Sequence, residues 1–194
     1  MDPLEIRRTR PAETNTQNPL RETASQTAGP YVHIGCLPNS VGIDKIYDND
    51  LTHYGAINHK DPITIRGQVF DGDAQICRDV MLEFWQPENE GTWRRTGTDF
   101  ETGFYEIKTS KPVSMRDENG NEVAPFITVW VTARGINIGL VTRIYFSQVD
   151  GDAQLELVDE SRRHTLIAKP LDEAGVYQFN IHLQGDQETV FFDI

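Results

Sequence analysis

The stretch FITVWVTAR, residues 126–134, alternates strictly between two kinds of side chain. Ile127, Val129, Val131 and Ala133 occupy one parity; Phe126, Thr128, Trp130, Thr132 and Arg134 occupy the other. Successive side chains of a strand point to opposite faces. The stretch therefore reads as a strand with one aliphatic, core-seeking face and a second face of rings, hydroxyls and a terminal guanidinium. Comparable runs recur along the chain: ITIRGQVF (63–70), VMLEFWQ (80–86), FYEIKTS (104–110), LVTRIYF (140–146), HTLIAKP (164–170), VYQFNIHL (176–183) and TVFFDI (189–194). Asp71-Gly72, Gly103 and ENGN at 118–121 separate several of them as turn signals. Short β-branched and aromatic runs punctuated in this way predict an all-β fold, a β-sandwich of two mainly antiparallel sheets. QLELVDESR, 154–162, offers the one weak helix, and DGDAQ, at 71–75 and 150–154, reads as turn chemistry used twice.

The sandwich pattern begins near residue 63. Residues 1–24 are polar and without period, which predicts a mobile N-terminal arm. Residues 25–62, marked by Gly, Pro and Asn, read as an extended, surface-wrapping arm, leaving 63–194 as the β-sandwich domain. A length of 194 residues supports one core without staples.

Charge narrows the partners. The formal net charge is -12, from 30 acidic against 18 basic residues, which disfavours nucleic acid and anionic membranes. Cys36 and Cys77 form no C-x-x-C motif and read as two reduced thiols. No run approaches the ~18 apolar residues of a membrane helix, and the N-terminus lacks an apolar signal core; both predict a cytoplasmic location. The five histidines, His33, His53, His59, His164 and His182, form no metal-binding motif, and His182 reads as a hydrogen-bonded structural residue. No nucleophile elbow or phosphate-cradling glycine loop occurs. From the residues alone, no catalytic centre is identified.

Several segments nevertheless resemble a known family. SQTAGPYVHIG (25–35), LEFWQPENEG (82–91), ARGINIGLVTRIYF (133–146), TLIAKP (165–170) and QGDQETVFFDI (184–194) together resemble the intradiol ring-cleaving dioxygenases, and within them the alpha chains of the protocatechuate 3,4-dioxygenase group. The resemblance covers about residues 25–194. It implies an alpha–beta hetero-oligomer acting on a small aromatic substrate and O2. It also implies Fe(III) held by two tyrosines and two histidines of the partner beta chain. Carried onto this sequence, the ligand positions fall at Trp93, at Phe126 and Thr128, and within VSMRD (113–117), none with a ligand residue. No metal is expected on this chain, and the second face of FITVWVTAR reads as a former metal face, now packed. The resemblance further implies a contribution to the partner's substrate pocket from Thr27, Gly29, Pro30, Tyr31 and Arg134. A stand-alone, non-catalytic sandwich binding module is the rival reading; a self-sufficient dioxygenase is disfavoured by the missing ligands.

Overall fold

The computed structural model describes residues 27–29, 31–46, 61–87, 91–117, 120–136, 138–147 and 152–193. The predicted mobile arm, 1–24, lies outside the described residues, as does 47–60 of the second segment. In chain order the elements are a short helix α1 (Tyr31–Cys36), a 3-10 turn (Pro38–Val41), β1 (Pro62–Phe70), β2 (Met81–Gln86), β3 (Thr92–Gly97), β4 (Phe104–Ser110), β5 (Met115–Arg116), β6 (Glu122–Val123), β7 (Phe126–Thr132) and β8 (Leu140–Tyr145). Then come α2 (Ala153–Glu156), a second 3-10 helix (Glu160–Leu166), β9 (Lys169–Pro170), β10 (Val176–Gln178) and β11 (Ile181–His182).

Two sheets form the sandwich. One has the order β3-β2-β7-β8 and is antiparallel throughout. The other is centred on β1, which pairs antiparallel with β4 but parallel with β10 and β11. The inner faces meet in one core that includes Ile63, Ile65 and Val69 of β1, Leu82 and Phe84 of β2, and Ile127, Val129 and Val131 of β7. The aliphatic parity of FITVWVTAR is thus the core parity. Burying each such side chain stabilises the fold by about 1.5–3 kcal/mol. A one-residue slip of β7 would expose all three at once, so its register is fixed by burial.

VYQFNIHL is not one continuous strand. It breaks at Phe179–Asn180, between β10 and β11. Phe179 N donates to Arg66 O at 3.0 Å, Tyr105 Oη donates to Phe179 O at 2.5 Å, and Gln68 N donates to Asn180 Oδ1 at 3.1 Å. The break sits over Gly67, where an added Cβ would run into the Phe179 carbonyl. Glycine is required there because two backbones approach without room for a side chain.

Other expectations change. The front of HTLIAKP lies in the 3-10 helix, and only Lys169–Pro170 pairs as a strand. The described part of TVFFDI, 189–193, forms no strand, although Phe192 N donates to Val141 O at 2.8 Å along the edge of β8. The weak helix resolves into α2 and the 3-10 helix. The two DGDAQ copies do different work. Asp71 Oδ1 accepts from Asp73 N and Gln75 N in a turn. Asp152 is buried, caps α2 through Gln154 N and Leu155 N, and accepts from Ala124 N. Within the second segment, α1 sets His33 into the protein, and Leu37 is buried just beyond it.

Candidate functional site

At its C-terminal end β7 leaves the sheet. Ala133 is still buried, and the chain then turns at Arg134–Gly135, with Gly135 at φ 83°. That left-handed conformation suits glycine. Strand alternation therefore stops before Arg134, and its direction is set by the turn. Gly135 N donates to Thr27 Oγ1 at 2.5 Å, which joins residues 108 positions apart in the sequence. Arg134 Nε is ion-paired with the Asp79 carboxylate. The pair is asymmetric, with Arg134 68% exposed and Asp79 only 20%. Paired near solvent, it contributes about 0–1 kcal/mol to stability.

This corner forms one wall of an open cleft of about 1150 Å3, with Asp79, Arg134, His33 and Cys77 on its polar side and Phe70 and Phe100 among its apolar lining. His33 is buried, its ring centroid 5.1 Å from that of Phe100, and its Nε2 has no hydrogen-bond partner. Burial lowers its pKa below the ordinary 6.5 and outweighs the opposing pull of Asp79 and of a Val80 backbone hydrogen bond; Arg134 lowers it further. The imidazole is thus neutral near pH 7. Burial and the nearby Asp71 and Asp79 carboxylates push the Cys77 thiol up, so it stays protonated and unreactive.

Of the residues the resemblance assigned to a pocket border, Thr27 and Arg134 meet through the turn. Gly29 stands where a Cβ would meet nothing within 4 Å, and Tyr31 is 79% exposed. Pro30 lies outside the described residues. Sequence reasoning passed over Asp79 and His33. His33 carried a faint signal in its helical spacing to Leu37; Asp79, in CRDV, carried none.

The positions matched to metal ligands lie elsewhere on the sheet. Register aligns Trp93 with Trp85, Thr128 and Arg143 across β3, β2, β7 and β8. The Arg143 guanidinium carbon lies 4.1 Å from the centroid of the Phe126 ring, and that of Arg95 lies 4.8 Å from the Trp93 ring. Met115, in VSMRD, packs against the second core cluster of Phe126, Tyr145, Leu155 and Leu166. An indole, a phenyl ring and one hydroxyl do not fit iron, which takes phenolate, imidazole, carboxylate or thiolate donors. Among the described residues no group of three His, Cys, Asp or Glu side chains could hold a metal. The expectation that this face is packed needs correction. Only its Phe126 end is closed, while Trp85 is 45% and Trp130 38% exposed. The His182 ring stacks on Phe70 at 4.8 Å, a packing contact made by the histidine expected to be structural.

No family model matches the chain. It is 40% identical over 200 aligned positions to the protocatechuate 3,4-dioxygenase alpha chain of Pseudomonas putida, covering 90% of this chain and 97% of that one. To the protocatechuate 3,4-dioxygenase alpha chain of Burkholderia cepacia it is 36% identical, covering 90% and 98%. Among solved structures, catechol 1,2-dioxygenase from Pseudomonas arvilla C-1 aligns with a TM-score of 0.49 at 18% identity, over 68% of this chain and 56% of that one. Hydroxyquinol 1,2-dioxygenase from Pseudomonas putida DLL-E4 aligns at 0.48 and 13% identity, over 79% and 72%. Family membership rests on the sequence relatives alone.

Proposed function

The chain belongs to the protocatechuate 3,4-dioxygenase alpha-chain family, and on that premise we propose that it completes the substrate pocket of a beta chain that holds the ferric ion. The assembled enzyme cleaves protocatechuate with O2 to 3-carboxy-cis,cis-muconate. In this reading Arg134 supplies a guanidinium that grips the substrate carboxylate through paired N–H donors. Thr27 holds the turn that carries it. Gly29 and Tyr31 form the border beside it, where they limit access of water, and the family resemblance assigns Pro30 to the same border. The supporting observation is the meeting of Thr27 with the Arg134–Gly135 turn, which joins the two segments of the expected border. The acidic charge and the absence of a described helix long and apolar enough to cross a membrane are compatible with a cytoplasmic enzyme. The two chains should bury an interface on the order of 2,000 Å2, as obligate partners do, with residues 25–62 contributing to it.

The test uses the complex with its beta chain. A charge-assisted contact is worth about 1.5–3 kcal/mol when desolvated, so Arg134→Ala should lower kcat/KM for protocatechuate by about tenfold to a hundredfold. Catechol, which lacks the carboxylate, should lose much less. Equal losses for both substrates would sink the substrate contact and leave Arg134 a role between subunits.

A further inference from the structure

We propose that Asp79 is a positioning residue for Arg134, holding the guanidinium by Nε so that its Nη1–Nη2 edge stays open for a substrate carboxylate. The inference rests on the reading of Arg134 given above and adds a residue to it.

The two partners differ in what holds them. Arg134 lies in a turn, is mostly exposed, and carries a long flexible stem. Left alone, such a side chain samples many rotamers, and each contact it makes costs it that freedom. Asp79 is the more buried member and sits on a fixed frame. Val80 beside it is fully buried, donates its N–H to Thr98 Oγ1 at 3.0 Å, and accepts Thr98 N–H at 2.9 Å. Cys77 N, two residues earlier, donates to Val69 O at 2.8 Å. The backbone on either side of Asp79 is thus held by the sandwich, and the guanidinium by the Asp79 carboxylate. On the other side the turn is anchored by the Thr27 hydroxyl on Gly135 N.

The atom used also matters. A guanidinium presents five N–H donors in a rigid fork. The ion pair is made at Nε, and the end-on Nη1–Nη2 edge is a separate pair of donors suited to a second carboxylate. A lysine in the same place, with one ammonium, could not serve Asp79 and a substrate with the same planar geometry. The carboxylate of Asp79 also has an opposing effect, because it lies near the anion it helps to bind. The experiment separates orientation from repulsion.

The test compares Asp79→Asn, Asp79→Glu, Arg134→Ala and the Asp79→Asn/Arg134→Ala double variant, each assembled with the beta chain, on protocatechuate and catechol. A carboxylate contact made in both ground and transition states acts mainly on KM. Asp79→Asn should therefore raise KM for protocatechuate by about three- to tenfold with little change in kcat, and leave catechol within about twofold. Asp79→Glu should recover part of the loss. The double variant should be no worse than Arg134→Ala, because Asp79 acts only through Arg134. Three results would overturn the proposal while leaving Arg134 its role: Asp79→Asn matching wild type where Arg134→Ala is impaired, Asp79→Asn lowering KM, or Asp79→Asn impairing both substrates equally. Loss of assembly in Asp79→Asn, with the double variant assembling no better, would also overturn it by making Asp79 structural. An Arg134→Ala variant with wild-type kinetics on both substrates would remove the underlying reading, and the positioning role with it.

Discussion

The two ends of β7 have opposite characters. At its start Phe126 is buried, covered by the Arg143 guanidinium, and packed with Tyr145, Leu155 and Leu166. At its end the chain turns out to Arg134, which is mostly exposed beside an open cleft. In the proposed reading the first end takes the place of a metal ligand and the second borders the partner's pocket. The comparison shows how the two ends of one strand are put to different uses. The end matched to a ligand becomes core, where its energy is spent on folding. The other end keeps a charged group whose cost in stability is small and whose value depends on what comes near it.

The sharpest way to break that comparison is to exchange effects between the ends. Phe126→Ala should cost about 3–5 kcal/mol of stability through a cavity that the second cluster cannot refill, read as a lower midpoint in chemical denaturation. A loss below about 1 kcal/mol would mean that this end is not core. Arg134→Ala should do the reverse, with unfolding changed by less than about 1 kcal/mol and the tenfold to hundredfold kinetic loss on protocatechuate described above. Arg134→Lys should recover only part of it, because a point charge lacks the fork.

Smaller effects sharpen the contrast. The His33 pKa is lowered in the folded state, so the unfolded chain binds more protons between that value and 6.5. Stability should therefore be full above pH 6.5 and fall as the pH drops below it. His182, also lowered by burial, adds with the same sign. Asp99 and Asp159, held down by hydrogen bonds from Thr102 and Ser161, add losses only below the ordinary 3.8, in a separate window. Thermal unfolding followed from pH 7.5 to 5 should show the histidine step, and His33→Gln should flatten it. An unchanged slope would place that titration elsewhere. The smallest effect expected is that of Thr27→Val, which removes the hydroxyl acceptor of Gly135 N. Its cost is about 0.5–1.5 kcal/mol, expressed as a kcat/KM lowered by a few-fold on protocatechuate and hardly at all on catechol.

Alternation in FITVWVTAR, together with runs such as ITIRGQVF and FYEIKTS, was enough to determine an all-β sandwich and its core parity, because burial of aliphatic side chains fixes both strand and register. Local pattern failed at β3, whose inward parity carries Arg94. That side chain is buried with its donors on the Lys108 and Trp93 carbonyls, in place of an aliphatic group. It failed again at VYQFNIHL and TVFFDI, where the break over Gly67 and the edge of β8 depend on segments far away in sequence. Thr27 and Arg134 were named through family resemblance, but nothing in the sequence joined them, nor either of them to Asp79. Those contacts span 108 residues in one case and 55 in the other (134 minus 79). They exist because the sandwich brings the segment before β2, the end of β7 and the residues before α1 to one corner. Composition and periodicity are local and decide which face of a strand is buried. Which charged group stands beside which is decided only when the sheets pack, since an ion pair needs proximity that no spacing rule along this chain supplies.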